Sequence, residues 1–353
     1  MAVKALWQGH KFFTQGYPLV GAKSTGIGQV AVDILKQGVK DTIDTLSVHL
    51  TGTVTVAGTT SGAATGAYNP EGLVSLVVES TSPQPVGLVQ INAVSSRGVV
   101  VDRAVILGEF TRSTPTIPDT AGTHPVDVWV HFTFKRPKVK KGIQWAHFMK
   151  YWNTDIVTAT LGTRNQLYTG GDMTWDMSNV QCEFWADLDI NADPDTIHAT
   201  EIFEIDFPIL ASQPNFQINQ LPAGCFYDNL YLITEDAGAL ADGVINNISI
   251  QSGGRIWLQQ GEANAPYIRE YYTRPAFYKG DEDLTGIYAL KLRDGLYTRA
   301  LDATSQPIVI FLDVTSLSPT TLVRLVGRKL VPGGIKRMVG GKVVGLPPVQ
   351  VSQ

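Results

Sequence analysis

The sequence predicts an all-β protein of two domains, each a sandwich or jelly roll, and three observations carry that expectation. Its 353 residues are enough for two cores at ~150 residues per domain. Glycine (34 residues) and proline (19) accompany many Thr and Val and only 17% charged residues, a composition that suits short pleated strands punctuated by turns. Apolar residues recur with a period of two, and no regular helical pattern alternates with them, which argues against a parallel α/β sheet.

The first clear strand spans 42 to 56, where Leu46, Val48, Leu50, Val54 and Val56 share one face and Thr45, Ser47, His49, Thr51, Thr53 and Thr55 the other. Segments 73 to 79, 86 to 91 and 99 to 107 read as further strands. In VDVWVHFTF, Val126, Val128, Val130, Phe132 and Phe134 fall on one side. WAHFMKYW, residues 145 to 152, fits either a short helix or an apolar loop. Segment 180 to 190 is the next strand, and DLDINADPD ends it in an Asp-Pro turn stiffened by Pro194. EIFEIDFPI sets Phe203, Ile205, Phe207 and Ile209 against Glu204 and Asp206. Strands are also expected at 229 to 234, 246 to 259, 286 to 293, 308 to 315 and 320 to 331.

Several familiar sites are approached and missed. Gly26, Gly28 and Ala31 satisfy the dinucleotide spacing, but Gly16 and Pro18 spoil the strand that must precede it and no βαβ unit follows. Ala22 separates Gly21 from Lys23 and breaks a P-loop. Asp187, Asp189, Asn191 and Asp193 begin a calcium-loop spacing, with Ala192 where glycine belongs and His198 where the bidentate glutamate belongs. The six histidines form no metal-binding pair, and His49 and His131 sit on polar strand faces that suit surface or interface positions. Glu183, Glu201 and Glu204 are available as paired carboxylates, yet strand alternation already accounts for them. Cys182 and Cys225 lack ligand-spaced neighbours and read as ordinary thiols. No catalytic residue, cofactor site or metal site is therefore expected.

Charge is segregated. Residues 1 to 32 hold Lys4, Lys11 and Lys23, residues 314 to 353 hold Arg324, Arg328, Lys329, Lys336, Arg337 and Lys342, and all 32 acids lie between them. Such acid-free basic ends suit a phosphate-bearing layer, whether lipid headgroups or packaged nucleic acid. Lys135, Arg136, Lys138, Lys140 and Lys141 form the sharpest internal run, with Tyr151, Trp145 and Trp152 following the charges rather than interleaving with them. That arrangement reads as a loop contacting a neighbouring subunit, not as a nucleic-acid groove. No apolar run approaches the ~20 residues of a membrane span, and the N-terminus lacks a secretion-signal pattern, so synthesis in a cytoplasm is expected.

GIYALKLRDGLYTRALDATSQPIVIFLDVTS, residues 286 to 316, resembles the closing part of the second barrel in double jelly-roll major capsid proteins of tailless icosahedral viruses. The matching residues are Arg293, Asp294 and Gly295, then Ala300, Leu301, Asp302 and Ala303, then Leu312, Asp313, Val314 and Thr315. Residues 38 to 56, followed by NPEGLVSLVVES, are similar to the same family's first barrel. The resemblance implies two side-by-side eight-stranded jelly rolls joined by short helices or loops. It implies a non-enzymatic major capsid subunit, trimeric and pseudo-hexagonal, made in the host cytoplasm and located in the virion of a bacteriophage or another icosahedral, often membrane-containing, virus.

The expected organisation is a flexible basic segment at 1-32, a first jelly roll at 33-196, a second at 197-331 and a basic Gly/Pro-containing tail at 332-353. Expected partners are the chain itself, neighbouring capsomers, other virion proteins such as a penton or minor capsid protein, and an internal lipid membrane, without sequence-specific nucleic acid. Lys4, Lys11, Arg328, Lys329, Lys336, Arg337 and Lys342 are the interior-facing candidates; Lys135, Arg136, Lys138, Lys140 and Lys141 are the intersubunit candidates. The alternative is a receptor- or carbohydrate-binding β-sandwich of a virion spike or lectin, with Trp257, Tyr271 and Tyr272 as stacking platforms.

Overall fold

The computed structural model describes residues 7–12, 17–18, 28–33, 42–57, 76–81, 91–92, 94–95, 98–99, 101, 121–133, 144–145, 148–149, 156–161, 174–190, 197–221, 223–236, 239–252, 255–258, 284–290, 301–303, 306–331, 336–339 and 342–345. Two compact units emerge. The first comprises Met1–Arg103, Thr111–Thr200 and Gly334–Pro347; the second comprises Ala104–Phe110, Glu201–Gly333 and Pro348–Gln353.

In the first unit the described strands are β1 (Trp7–Phe12), β2 (Tyr17–Pro18), β3 (Gly28–Asp33), β4 (Thr42–Ala57), β5 (Leu76–Thr81), β6 (Ile91–Asn92) and β7 (Val94–Ser95). They continue as β8 (Gly122–Thr133), β9 (Gln144–Trp145), β10 (Phe148–Met149), β11 (Ile156–Leu161) and β12 (Thr174–Ile190). One sheet runs β1-β12-β4, with β8 and β10 along the other edge of β4; the second runs β3-β11-β5-β7. Strands close in sequence thus alternate between sheets, which is jelly-roll connectivity.

The long β4 behaves as its pattern demands. Leu46, Val48 and Leu50 are fully buried and meet Val126, Val130 and Phe132 of β8 and Val180, Cys182, Phe184 and Ala186 of β12 on the same side. The register shifts at two points, between Asp187 and Leu188 and between Asp176 and Asn179, and at the second the Asn179 carbonyl is directed toward β4. Gly52, at φ +131° and opposite Val180, lies against it, and only the missing side chain makes room for that oxygen.

The second unit contains β13 (Ile197–Pro208), β14 (Gln213–Ile218), β15 (Phe226–Asp236), β16 (Ala239–Leu240), β17 (Ile245–Ser252), β18 (Arg255–Leu258), β19 (Ile287–Leu290), β20 (Leu301–Asp302), β21 (Ile308–Val314) and β22 (Leu322–Val331). Strands β13, β22 and β15 lie side by side, with β16, β19 and β20 along the far edge of β15; the facing sheet runs β14-β21-β17-β18. In eight of these strands, β13-β22-β15-β19 and β14-β21-β17-β18, the connectivity of β1-β12-β4-β8 and β3-β11-β5-β7 in the first unit is repeated. Between the sheets Phe203, Phe207, Leu230, Leu232, Val323 and Leu325 meet Ile218, Ile248, Ile250, Ile310 and Leu312. Gly327 lets this core close, since a Cβ there would enter the Phe203 ring and stand 2.9 Å from Leu230 Cδ2.

A hairpin of β23 (Lys336–Val339) and β24 (Lys342–Gly345) completes the described chain and belongs to the first unit.

Several expectations change. The N-terminal segment is not merely a flexible entry: β1 pairs along β12 from Trp7↔Ile190 to Phe12↔Trp185, and β3 pairs along β11. The first unit therefore takes strands from before residue 33, and β13, which begins at Ile197, passes from the first unit into the second between Thr200 and Glu201. Gly28 opens a strand where dinucleotide binding needs a helix. Gly98, Val99 and Val101 are helical, so the strand expected from 99 does not start there; Gly98 N–H donates to Ser95 Oγ at 3.1 Å, as a first-turn cap does. Within WAHFMKYW, Trp145 ends the two-residue strand β9 and Phe148 with Met149 forms β10.

Candidate interaction face

The outward face of the β8-β4-β12 sheet is a grid of polar and aromatic side chains set by register. His49 of β4 stands between Trp129 and Glu183, and Ser47 stands between His131 and Trp185. His49 Nδ1 lies 3.0 Å from Glu183 Oε2 and its Nε2 lies 2.8 Å from Asp127 Oδ1, so one ring bridges two carboxylates. The imidazole stacks on Trp129 with centroids 3.8 Å apart and planes at 10°. Ser47 Oγ lies 2.7 Å from His131 Nδ1, and Trp185 Nε1–H donates to Glu183 Oε2 at 3.4 Å. The Ser47 side chain is buried, so this Ser–His pair presents no nucleophile to an incoming substrate. What the grid offers is a rigid surface of aromatic rings and carboxylates.

The second unit holds a buried ionic cluster. Arg324 Nε lies 3.0 Å from Glu204 Oε1 and 2.8 Å from Asp206 Oδ1, and Nη1 lies 3.1 Å from Glu235 Oε1. Burial opposes the guanidinium's charge, but Glu204, Glu235 and Asp206 more than offset it and lift its pKa above the ordinary arginine value. Arg324 lies on the β22 face opposite Val323 and Leu325, beside Val326 and Arg328, and these too are buried. Strand β22 is thus buried on both faces.

That burial corrects one expectation. Arg328 is 1% exposed and has no reach to a lipid or nucleic-acid surface, so it leaves the interior-facing set. Lys329 Nζ is 2.6 Å from Glu201 Oε2, a structural pair within the sheet. Lys11 falls in β1 opposite Ala186, while Lys336, Arg337 and Lys342 fall in the β23-β24 hairpin. Lys4 and the run Lys135, Arg136, Lys138, Lys140 and Lys141 lie outside the described residues. The glutamates weighed as catalytic pairs are each engaged structurally: Glu183 with His49, Glu201 with Lys329 and Glu204 with Arg324.

Asp187 and Asp189 belong to the extended strand β12, whose backbone runs straight where a calcium loop must curl; Asn191 and Asp193 lie outside the described residues. Trp257 is a strand residue in β18, and Tyr271 and Tyr272 lie outside the described set.

Cys182 and Cys225 are buried, and neither is in a disulfide. Burial raises both thiols above their ordinary value of 9.0, with Glu183 adding to the effect at Cys182. Burial also raises the Tyr227 hydroxyl above 10.0, helped by its hydrogen bond with Cys225. Folded, these groups keep their protons where the unfolded chain would ionise, so their contribution is complete below pH 9 and is lost as pH rises beyond it. The thermal midpoint is expected to fall above pH 9. Neither thiol should react with an aromatic disulfide reagent at pH 8 until the chain unfolds, when both of the chain's two cysteines should. Rapid labelling of the folded chain would contradict this burial.

No family model matches the chain, and no curated protein matches it. Solved structures do. The major capsid protein of Sulfolobus turreted icosahedral virus aligns over 92% of this chain and 97% of its own, at 13% identity and a TM-score of 0.63. The atomic structure of that virus aligns over 92% and 90%, at 14% identity and a TM-score of 0.60. The PBCV-1 virus capsid aligns over 99% of both chains, at 10% identity and a TM-score of 0.55. These similarities span both units, and each unit independently shows jelly-roll connectivity. The chain therefore has the fold of double jelly-roll major capsid proteins.

Proposed function

We propose that this chain is a major capsid subunit whose work is self-association, without catalytic chemistry. The observation that carries the reading is the repeated connectivity: the order β1-β12-β4-β8 facing β3-β11-β5-β7 recurs as β13-β22-β15-β19 facing β14-β21-β17-β18. Three copies of such a duplicated chain supply six similar barrels, which is what a threefold capsomer needs to fill a sixfold lattice position. The Sulfolobus virus major capsid protein and the PBCV-1 virus capsid match over nearly their whole length.

In this reading the chain occupies a virion shell beside neighbouring capsomers and a penton or minor capsid protein, after synthesis in the host cytoplasm. Its basic ends, with Lys4, Lys11, Lys336, Arg337 and Lys342, turn to the interior, toward a phosphate-bearing layer such as an internal membrane. Interfaces of the obligate class, ~2,000 Å² or more, would hold the trimer. Native mass measurement of the purified chain is expected to give a trimer at three times the 38.3 kDa subunit mass. A monomer at micromolar concentration and physiological salt would overturn the reading.

A further inference from the structure

The outward grid of the first unit has a feature the jelly-roll core does not require. Trp129 is 36% exposed, one of three large exposed hydrophobics among the described residues, with Leu210 and Leu317. Its indole is fixed nonetheless, stacked on His49 and lying 5.9 Å from the His131 ring at 9°. The Trp185 ring meets it at 6.1 Å and a tilt of 56°, so the two indoles form a corner. Glu183 receives the Trp185 N–H beside that corner, and the Asp127 side chain, 68% exposed, stands at its rim. Indole faces attract cations through their quadrupole, and adjacent carboxylates add direct pairing.

We propose that this corner receives a lysine or arginine side chain from a second copy of the chain, supplied by the run Lys135, Arg136, Lys138, Lys140 and Lys141. The inference rests on the self-assembly reading and names the contact. Charge complementarity points to the occupant: residues 135 to 141 contain five cations and no acid, while the corner offers Asp127 and Glu183. Geometry favours another copy over the same one. Between Trp129 and Thr133 the extended strand β8 carries the main chain ~13 Å away from the corner, so its own run would have to reverse to return.

The test uses the full-length chain and follows trimer dissociation on dilution by native mass measurement. Asp127→Lys, Arg136→Glu and Trp129→Ala are each expected to raise the dissociation midpoint at least tenfold. The double variant Asp127→Lys with Arg136→Glu should recover much of the loss. Zero-length carboxyl-to-amine cross-linking of trimers assembled from mixed light and heavy isotope chains should join an Asp127 peptide of one label to a 135–141 peptide of the other. Unfolding midpoints near that of the original chain identify variants that fold. Links confined to a single label, or midpoints unmoved in Asp127→Lys and Trp129→Ala while the original chain forms trimers, overturn this inference and leave the capsid reading standing. Absence of trimers in the original chain removes both.

Discussion

Replacing Arg324 with alanine is expected to cost the second unit about 3–5 kcal/mol, read from denaturant unfolding. Two of its partners, Glu204 and Glu235, have side chains only 6% exposed, so removing the guanidinium leaves carboxylates in a setting that water barely reaches. Asp206 is half exposed and suffers less. A charge-free replacement separates electrostatics from packing. Arg324→Met combined with Glu204→Gln and Glu235→Gln keeps the volume and removes the stranded charges, and it should recover most of the loss. If the single alanine variant unfolds within about 1 kcal/mol of the original chain, the cluster is better solvated than its geometry implies.

The second large effect is expected at Gly52, where alanine should destabilise the first unit by about 2–6 kcal/mol, the sum of backbone strain and overpacking. A side chain is disfavoured there twice over. The φ of +131° belongs to glycine, and the added Cβ would collide with the Asn179 carbonyl oxygen while standing 3.0 Å from its carbon and 3.1 Å from Val180 Cα. These are backbone atoms of the β12 bulge, so relief requires remodelling the β4-β12 pairing. Thermal unfolding of Gly52→Ala beside Gly243→Ala provides the comparison: Gly243 also has positive φ, at +80°, but a Cβ there would meet nothing within 4 Å. The Gly243 variant should bear only the strain. Equal losses at both positions would show that the bulge does not set the cost.

What the sequence revealed, and what it concealed, follows from how many faces of each strand are buried. Strand β4 was legible because one side is core and the other carries Thr, Ser and His, so the period of two is visible at Leu46, Val48 and Leu50. The same pattern exposed β8, β13 and β21. Strand β22 misled because it is buried on both faces: Arg324 and Arg328 look like tail cations, yet one is neutralised by acids on β13 and β15 and the other is enclosed. A signal was present in the matching charges of Glu204 and Asp206, which share the outward side of β13. Strands β1 and β3 were hidden for another reason. The glycines of this N-terminal segment weaken local strand preference, and pairing with β12 and β11 supplies the order instead.

Of the interaction face, the sequence showed His49 and His131 on polar faces. The Trp129–His49 stack and the Asp127–His49–Glu183 chain depend on register between strands 78 and 134 residues apart. No local pattern encodes that distance.

A capsid subunit carries duplicated jelly rolls in order to pack against copies of itself. Electron microscopy of the purified chain in negative stain tests this most directly. Particles with threefold symmetry, six lobes and a hexagonal outline are the predicted image; isolated two-lobed particles that never associate as protein concentration rises would contradict it.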